Sequence, residues 1–280
     1  MATPRCGTLY VVATPIGHLE DVTLRALRIL RDVSLVACED TRRTATLLRA
    51  HGIATATTSY FEHNERWKGA RILEELTAGR DVALVSDAGT PAISDPGYRL
   101  VRDARALGVP VVPVPGPSAV VAALSASGLP TDRFTFVGFL PARSGARQRA
   151  LSALADARET LVFYESPLRV VAALEDMAKA FGDRDAFLCR EATKLHEEYT
   201  RGTLTALAAT LHSRDRVRGE IVVVVSGASE QPQTTESPEA VFARLLAAGR
   251  TRREAVKETA RLLRLPARDV YRRMLADESR

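Results

Sequence analysis

Short apolar runs alternate with amphipathic stretches along most of the chain, and this alternation constrains the fold more than any other feature of the sequence. Several runs are continuously apolar, as in strands that are buried on both faces of a sheet. Strands separated by helices predict an α/β fold with mainly parallel pairing, although the pairing in the second half could be mixed. The predicted strands are residues 9–14, 34–39, 81–87, 109–114, 133–139, 160–165, 185–190 and 220–225.

Two helix starts are marked by residues suited to capping. Asp21 precedes the amphipathic segment 22–33, and its carboxylate can accept hydrogen bonds from the first free N–H groups of a helix. Ser166 precedes Pro167, and proline is well suited to the first position of a helix. We therefore predict helices that begin directly after Asp21 and Ser166.

A proline-rich segment divides the α/β part of the chain. Pro113, Pro115 and Pro117 disfavour both a helix and a central strand, and a helix is predicted to begin near Ser118. We place a boundary at about residue 116. The predicted α/β domains are residues 1–116 and 117–228.

The last part of the chain differs in composition from the rest. Residues 226–238 are polar and contain proline, which predicts a linker. Three short amphipathic patterns follow, separated by Gly249 and Pro266. Three helices joined by tight turns are typical of a helix-turn-helix-like module, which we assign to residues 237–280.

The C-terminal module is basic. It carries eleven Lys and Arg against six Asp and Glu, so it accounts for the whole net charge of +5. A concentrated positive charge indicates a polyanionic partner. Arg268 and Arg272 share a face of the last helix and Arg273 lies beside them, so this face could lie along phosphates. The alternative is a solvated face on a packing helix.

The composition excludes several classes of protein. A hydrophobic fraction of 46% and a charged fraction of 26% are typical of a soluble protein, and no run approaches the ~18–20 apolar residues of a membrane span. The N-terminus lacks the pattern of a signal peptide, so we expect a cytoplasmic protein without a membrane partner. Cys6, Cys38 and Cys189 are scattered, which argues against disulfides and zinc and predicts buried thiols. Acidic and histidine residues form no cluster at metal-binding spacing, so we expect no metal.

Residues 86–97, SDAGTPAISDPG, directly follow a predicted strand, where α/β folds bind their ligands. Asp87 can accept hydrogen bonds from a ribose or an amine, Gly89 lets the backbone approach a ligand closely, and Pro91 constrains the turn. The segment is not a GxGxxG dinucleotide motif, and no phosphate loop is present, so a standard Rossmann nucleotide enzyme is disfavoured.

Four other turns have the same character and also follow predicted strands. They are residues 14–21, 37–43, 114–119 and 163–169. Each alone could be ordinary turn chemistry. Because strand C-termini converge on one crevice, five such turns together indicate a ligand site.

These segments closely resemble a known family. TPIGHLED, ACEDTR, SDAGTPAISDPGY, VPGPSA, FLPA, FYESPLR and CREATK occur in the order seen in the 2′-O-ribose cytidine methyltransferases of small-subunit ribosomal RNA. That family belongs to the tetrapyrrole-methylase-like superfamily. The resemblance runs from about Gly7 to Gly227. His18 stands where the family pattern has asparagine, so any role specific to an amide is absent there.

The resemblance implies a cofactor and a place for it. The family binds S-adenosylmethionine in a cleft between its two α/β domains, and its members are homodimers. The motif positions that the resemblance assigns to the cofactor are Pro15, Ile16, Gly17, Asp87, Gly89, Thr90, Pro91, Ser118, Ala119, Tyr164, Ala192 and Glu220.

The implied reaction is a displacement at a sulfonium methyl carbon, in which positioning contributes most of the rate. A ribose hydroxyl benefits from a base or a cationic stabiliser. Glu39 and Asp40 are the candidate bases, and Lys194 is a candidate stabiliser of the developing alkoxide. The acidic pair could instead cap the helix that begins near Thr41, and Lys194 could be a solvated surface residue.

The predicted substrate is a cytidine ribose in the decoding region of small-subunit ribosomal RNA, either free or in the 30S subunit. A tetrapyrrole or protein methyltransferase of the same fold is one alternative, and a non-catalytic module that binds S-adenosylmethionine or RNA is another. The residues assigned to substrate binding are Arg42, Arg43, His63, Asn64, Glu165, Arg190, Arg268, Arg272 and Arg273.

Overall fold

A computed structural model describes residues 6–229, 236–263 and 265–277. The chain forms two compact units, one ending at Gly227 and one beginning at Ala228. The predicted linker spans the division between these units, but residues 230–235 of it lie outside the described ranges. Among the described residues, none of the helices has both the length and the apolar character that a membrane span requires.

The first unit contains a fully parallel sheet built from its N-terminal half. The strand order is β3-β2-β4-β1-β5, so the first strand of the chain lies inside the sheet. This is the parallel pairing that the apolar runs predict. The five strands are β1 (Leu9–Val12), β2 (Leu35–Cys38), β3 (Thr57–Ser59), β4 (Val82–Val85) and β5 (Val111–Val114).

Helices cover both faces of this sheet. On one face Ile29 and Leu30 pack with Val36, and on the other Ile72 and Leu100 pack in a second buried cluster. A short 3-10 helix, Leu19–Asp21, follows β1. The α-helices are α1 (Leu24–Asp32), α2 (Thr41–Ala50), α3 (Glu65–Thr77) and α4 (Tyr98–Ala106).

The second sheet has mixed pairing, as the sequence allowed for this half. Its order is β6-β7-β10-β8-β9, in which β6 and β7 are parallel and the other pairs antiparallel. The last strand, β10, lies between β7 and β8, where Val223 pairs with both Phe163 and Leu188. The strands are β6 (Phe134–Phe139), β7 (Thr160–Glu165), β8 (Asp185–Arg190), β9 (Glu198–Thr203) and β10 (Ile221–Val225).

One helix of this half connects the two sheets through apolar packing. Val120 and Leu124 pack with Val162 and Val222 of the second sheet, and Ile16 from the turn after β1 joins the same cluster. The helices are α5 (Ala119–Ser127), α6 (Ser144–Ser152), α7 (Val170–Phe181) and α8 (Leu204–His212).

A buried ion pair joins α6 to α7. Arg147 Nη2 lies 2.7 Å from Asp176 Oδ2, and the two side chains are only 7% and 5% exposed. Gln148 Nε2 donates to the other carboxylate oxygen at 3.1 Å. Burial raises the pKa of Asp176, but the hydrogen bonds from Gln148 and Arg147 outweigh it, so the pKa lies below its usual range. The pair is therefore satisfied only while both members are present.

The second unit consists of three helices at the predicted positions. Ser237 caps the first of them through its hydroxyl. Phe242, Val256, Val270 and Met274 form a separate small core. The helices are α9 (Pro238–Ala247), α10 (Arg252–Leu263) and α11 (Ala267–Asp277). A helix-turn-helix role for this unit stays a prediction.

Both predicted helix starts are wrong by a few residues. Thr23, not Asp21, caps α1 through its hydroxyl, and Asp21 lies in the preceding 3-10 helix. Helix α7 begins at Val170 rather than after Ser166, because residues 167–169 form a turn first. The turn is closed by N–H donors that bond the Ser166 carbonyl.

All eight predicted strands form, but the sequence pattern misses β3 and β9. Cys38 and Cys189 are buried as predicted, whereas Cys6 is half-buried. The domain boundary at residue 116 stays a prediction, and it falls between β5 of the first sheet and α5.

Candidate active site

A cavity of about 400 Å³ lies where the strand ends of the two sheets meet. We call it the first cavity. All five predicted turns contribute to its lining, which explains why ordinary turn residues recur at each strand end. The contributing residues include Ile16, Glu39, Arg43, Asp87, Gly89, Thr90, Ser118, Ala119, Tyr164 and Glu165.

A second cavity of about 290 Å³ adjoins the first. The two share the lining residues Ile16, Arg43, Asp87, Ala88 and Glu220, which therefore form a common wall. The second cavity is otherwise lined by Thr14, Pro15, Gly17, Leu19, Thr44, Thr46, Leu47, Ser86 and Lys194.

The loop after β4 is held in an unusual backbone conformation. Gly89 has a φ of +78°, and its N–H and C=O both bond the backbone of Thr14, at 3.0 and 2.9 Å. Ala92 and Ser94 also have positive φ, at 67° and 63°. A side chain in this region is strained by roughly 1–2 kcal/mol, and such strain clusters at ligand sites.

The loop after β8 has the same property and packs on the turn after β1. Glu191 and Thr193 have φ of 53° and 63°, so all four non-glycine residues with positive φ in the described ranges flank the cavities. A Cβ on Gly17 would lie 2.5 Å from Lys194 Cγ, and the N–H of His18 donates to Thr193 Oγ1 at 3.1 Å. The loop after β8 and the turn after β1 therefore hold each other in position.

Asp87 lies at the junction of the two cavities. Its Oδ1 accepts a hydrogen bond from the backbone N–H of Asp40 at 2.9 Å, and its Oδ2 lies 3.5 Å from Arg43 Nε. The side chain is about one quarter exposed. It is therefore oriented by the loop after β2 and still accessible to a ligand.

Two further carboxylates in the first cavity have raised pKa values. Burial raises the pKa of Glu39, and the nearby charges of Asp87 and Asp95 raise it further. Burial also raises the pKa of Asp95, although a hydrogen bond from Ser86 opposes this. Like charges gathered in a partly desolvated cleft favour proton uptake or a bound cation.

Comparison with known proteins decides the family. The family model Tetrapyrrole (Corrin/Porphyrin) Methylases matches residues 8–208. The chain belongs to the tetrapyrrole methylase family. Solved members of the family have the same two-sheet fold. Their sequence identity to this chain is low, so the likeness shows the fold alone.

Three such structures cover more than three quarters of this chain. Uroporphyrin-III C-methyltransferase from Thermus thermophilus is 23% identical with a TM-score of 0.58, covering 79% of this chain and 95% of its own. The cobalt precorrin-4 methyltransferase CbiF is 18% identical with a TM-score of 0.59, covering 78% and 94%. Another crystal structure of the Thermus enzyme is a complex with S-adenosylhomocysteine; it is 22% identical, with a TM-score of 0.56 and coverage of 78% and 97%.

Sequence relatives are much more similar and share one name. Proteins called "Ribosomal RNA small subunit methyltransferase I" match from Pseudomonas aeruginosa, at 51% identity over 86% of each chain, and from Halalkalibacterium halodurans, at 46% over 95% of this chain and 93% of its own. The Bacillus subtilis protein of that name is 41% identical over 95% of this chain and 93% of its own length. These relatives therefore match between 86% and 95% of this family member.

Asp40 of this methylase is a helix cap, which was the alternative interpretation of the acidic pair. Its Oδ1 accepts from the N–H of Arg42 at 2.8 Å, and the guanidinium of Arg42 lies 2.7 Å from Oδ2. These hydrogen bonds lower the pKa of Asp40 to about 2. Neither residue lines a cavity, so Asp40 as catalytic base and Arg42 as substrate ligand are not supported by their positions.

Lys194 lines the second cavity and is held by two carboxylates. Its Nζ lies 2.8 Å from Glu191 Oε1 and 3.1 Å from Glu220 Oε2. Burial lowers the pKa of Lys194, but the two carboxylates outweigh it and keep the amine charged. Lys194 therefore places a positive charge beside the shared wall. Its two ion pairs show that it is not the solvated surface lysine of the alternative interpretation.

Three predicted substrate residues line neither of the two cavities. Arg190 donates to Glu198 across β9 at 2.9 Å. Asn64 is buried, and its side chain closes the turn before α3 by accepting from the N–H of Phe61 at 2.9 Å. His63 stacks edge-on against Phe61. Each of the three has a local structural partner, and their role in substrate binding stays a prediction.

Glu165 lines the first cavity, and one oxygen of its carboxylate is committed to the fold, whereas Oε2 is buried without a hydrogen-bond partner among the described residues. Oε1 bonds Arg169 at 2.6 Å and the N–H of Ser166 at 2.8 Å, and the side chain is 1% exposed. Tyr164 lies on the other face of the strand against Phe136 and Phe139. Burial raises the pKa of this tyrosine to about 12.

Three residues that line the first cavity were not predicted as site residues, and the predicted residue Pro91 lines neither cavity. Ile93, Asp95 and Phe139 line the first cavity; they lie in the motifs SDAGTPAISDPG and FLPA, but none of the three was assigned to the site. Asp95 could have been found, because it follows the same turn as Asp87. Pro91 is buried and lines neither cavity, and its predicted contact with the cofactor stays a prediction.

The arginines of the second unit are exposed on α11. Arg268 and Arg272 lie 4.0 and 3.7 Å from Asp269, and Arg273 is also exposed. Such exposed pairs contribute little to stability. These three residues are free to meet a polyanion, and their RNA role stays a prediction.

Proposed function

We propose that the chain is an S-adenosylmethionine-dependent methyltransferase that methylates the ribose 2′-hydroxyl of a cytidine in the decoding region of small-subunit ribosomal RNA. Relatives at 41–51% identity carry the ribosomal RNA methyltransferase name. The choice of the 2′-hydroxyl of a cytidine rests on the motif resemblance. The observation that carries the proposal is the convergence of all five motif turns on the first cavity.

The residues of the first cavity fit this cofactor. Its volume of about 400 Å³ lies in the usual range for small-molecule sites. Its charged lining is one guanidinium against five carboxylates, of which Glu165 is paired with Arg169. S-adenosylmethionine has a sulfonium and an ammonium against one carboxylate, so its net positive charge is complementary to this lining. The carboxylates are Glu39, Asp87, Asp95, Glu165 and Glu220.

Several residues would hold the cofactor. Asp87 can accept from its amine or ribose, and the backbone N–H groups at the start of α5, near Ser118 and Ala119, can bind its carboxylate. Tyr164 and Phe139 offer an apolar wall for the adenine. When bound, S-adenosylmethionine supplies an activated methyl group.

Glu39 is the best placed base for the acceptor hydroxyl. Its raised pKa makes it a better proton acceptor than Asp40, whose pKa is about 2. It lines the first cavity, whereas Asp40 lines neither. We propose that Glu39 takes the proton when the oxygen–methyl bond forms.

The deciding experiment uses 30S subunits that lack the modification. The purified chain is incubated with them and with methyl-labelled S-adenosylmethionine, and the label is mapped by nuclease digestion and mass spectrometry. The expected result is one methyl group on the ribose of a cytidine. Cofactor binding without transfer, while a control methyltransferase modifies the same subunits, would overturn the RNA assignment.

The affinity for S-adenosylmethionine is expected to depend on pH. Glu39 and Asp95 attract the cation only when ionised, and their pKa values are raised above 4.5 and 3.8. Affinity is therefore present above the raised pKa values and is lost as the pH falls through them. Calorimetric titrations across this range should show a smaller dependence for S-adenosylhomocysteine, which lacks the sulfonium charge. Equal slopes for the two ligands would contradict the charge argument, and Asp95→Asn should flatten the S-adenosylmethionine curve.

A further inference from the structure

We propose that the second cavity receives the acceptor nucleotide and that its ribose hydroxyl meets the methyl donor at the shared wall. This inference rests on the proposed function. It reassigns Pro15 and Gly17, which the resemblance places beside the cofactor but which line the second cavity and not the first.

Charge separates the two cavities. In the second, Arg43 and Lys194 balance Asp87 and Glu220. The first has one guanidinium against five carboxylates, of which Glu165 is paired with Arg169, so it remains the more negative of the two. Each nucleotide of RNA carries a negative charge, so entry into the first cavity is opposed and entry into the second is not. S-adenosylmethionine is a cation, so the carboxylates of the first cavity favour its entry there rather than into the second.

The uncharged lining of the second cavity also fits a sugar. Thr14, Thr44, Thr46 and Ser86 line it. The hydroxyls of Thr14, Thr46 and Ser86 already donate to backbone carbonyls, so their oxygens can accept hydrogen bonds from ribose hydroxyls. Leu19 and other apolar side chains complete the lining. A ribose presents both hydroxyls and an apolar face, so the mixture is complementary to it.

The shared wall places the two reactants next to each other. In-line transfer requires the reacting atoms to be held about 3–3.5 Å apart before reaction. Asp87 and Ile16 contact both cavities, so ligands in the two would meet there. The rim of the second cavity is also rigid, because Gly17 packs directly on Lys194 and Thr193.

The inference is tested by filling the second cavity alone. Thr46 is exposed on α2 and lines only the second cavity, so Thr46→Trp should fold and occupy that space. We expect the kcat/KM for methyl transfer to unmodified 30S subunits to fall about 100-fold. The Kd for S-adenosylhomocysteine, measured by calorimetry, should stay within about twofold, which also shows that the variant folds.

Ala50→Trp is the matched control, because Ala50 is exposed on the same helix and lines neither cavity. Its transfer rate should remain that of the unsubstituted chain. Weakened S-adenosylhomocysteine binding by Thr46→Trp would assign the second cavity to the cofactor and overturn the inference. An unchanged rate of methyl transfer by Thr46→Trp would also overturn the inference. If the unsubstituted chain itself fails to methylate the subunits, the proposed function fails first.

Discussion

Asp87→Asn is expected to lower methyl transfer about 100-fold and to weaken S-adenosylmethionine binding by at least tenfold. Asp87 lies on the wall shared by both cavities, where it is oriented by the N–H of Asp40 and by Arg43. Hydrogen bonds to charged groups contribute about 1.5–3 kcal/mol, and asparagine keeps the shape but not the charge. Single-turnover assays with 30S subunits and calorimetry with the cofactor measure the two effects separately.

Asp40→Asn is the matched control for Asp87→Asn. Asparagine is as good a helix cap as aspartate, and the Asp40 side chain lines neither cavity. Its effect on transfer should stay within about threefold. A loss at Asp40 as large as the loss at Asp87 would restore Asp40 as the catalytic base and refute our placement of it.

Arg147→Met is expected to reduce the free energy of unfolding by about 3–5 kcal/mol, because it leaves the buried Asp176 carboxylate without its main partner. The lowered pKa of Asp176 predicts the pH dependence as well. In the unsubstituted chain its contribution is present above the ordinary value of 3.8 and is lost as the pH falls through the folded-state pKa. Urea denaturation at several pH values measures both effects.

Arg201→Met removes an exposed pair with Asp185 at 3.7 Å and should cost less than about 1 kcal/mol. The double variant Arg147→Met, Asp176→Leu should recover much of the lost stability, because no charge is then left buried alone. A double variant that is no more stable than Arg147→Met would show that packing, not charge, explains the loss.

The sequence predicts the strands that contain an apolar run, including the edge strands β5 and β6, and misses two polar strands at sheet edges. β3 is the three-residue segment Thr57–Ser59, which is half-buried and contains no apolar run. β9, Glu198–Thr203, is polar and lies at the edge of the second sheet. Hydrophobic periodicity cannot detect such strands, because their pairing is decided by the neighbouring strand rather than by their own side chains.

The same limit explains why the sequence could not show which predicted side chains line the cavities. The five turns could be predicted, because parallel strands end on one side of a sheet. Whether a side chain then enters the cavity depends on partners elsewhere in the chain. Arg190 turns to Glu198 on the unpredicted β9, and Asp40 turns back to cap α2. Lys194 reaches the second cavity because the loop after β8 packs on Gly17, which no local pattern shows.

The position of β10 has a consequence for biosynthesis. The strand inserts between β7 and β8, so both of these strands have open, apolar edges until Ile221–Val225 has been made. Unpaired edges of this kind are templates for aggregation. A nascent chain stalled or truncated just before Ile221 would therefore be a substrate for chaperones or proteases, whereas one that ends after Gly227 contains every strand of the first unit.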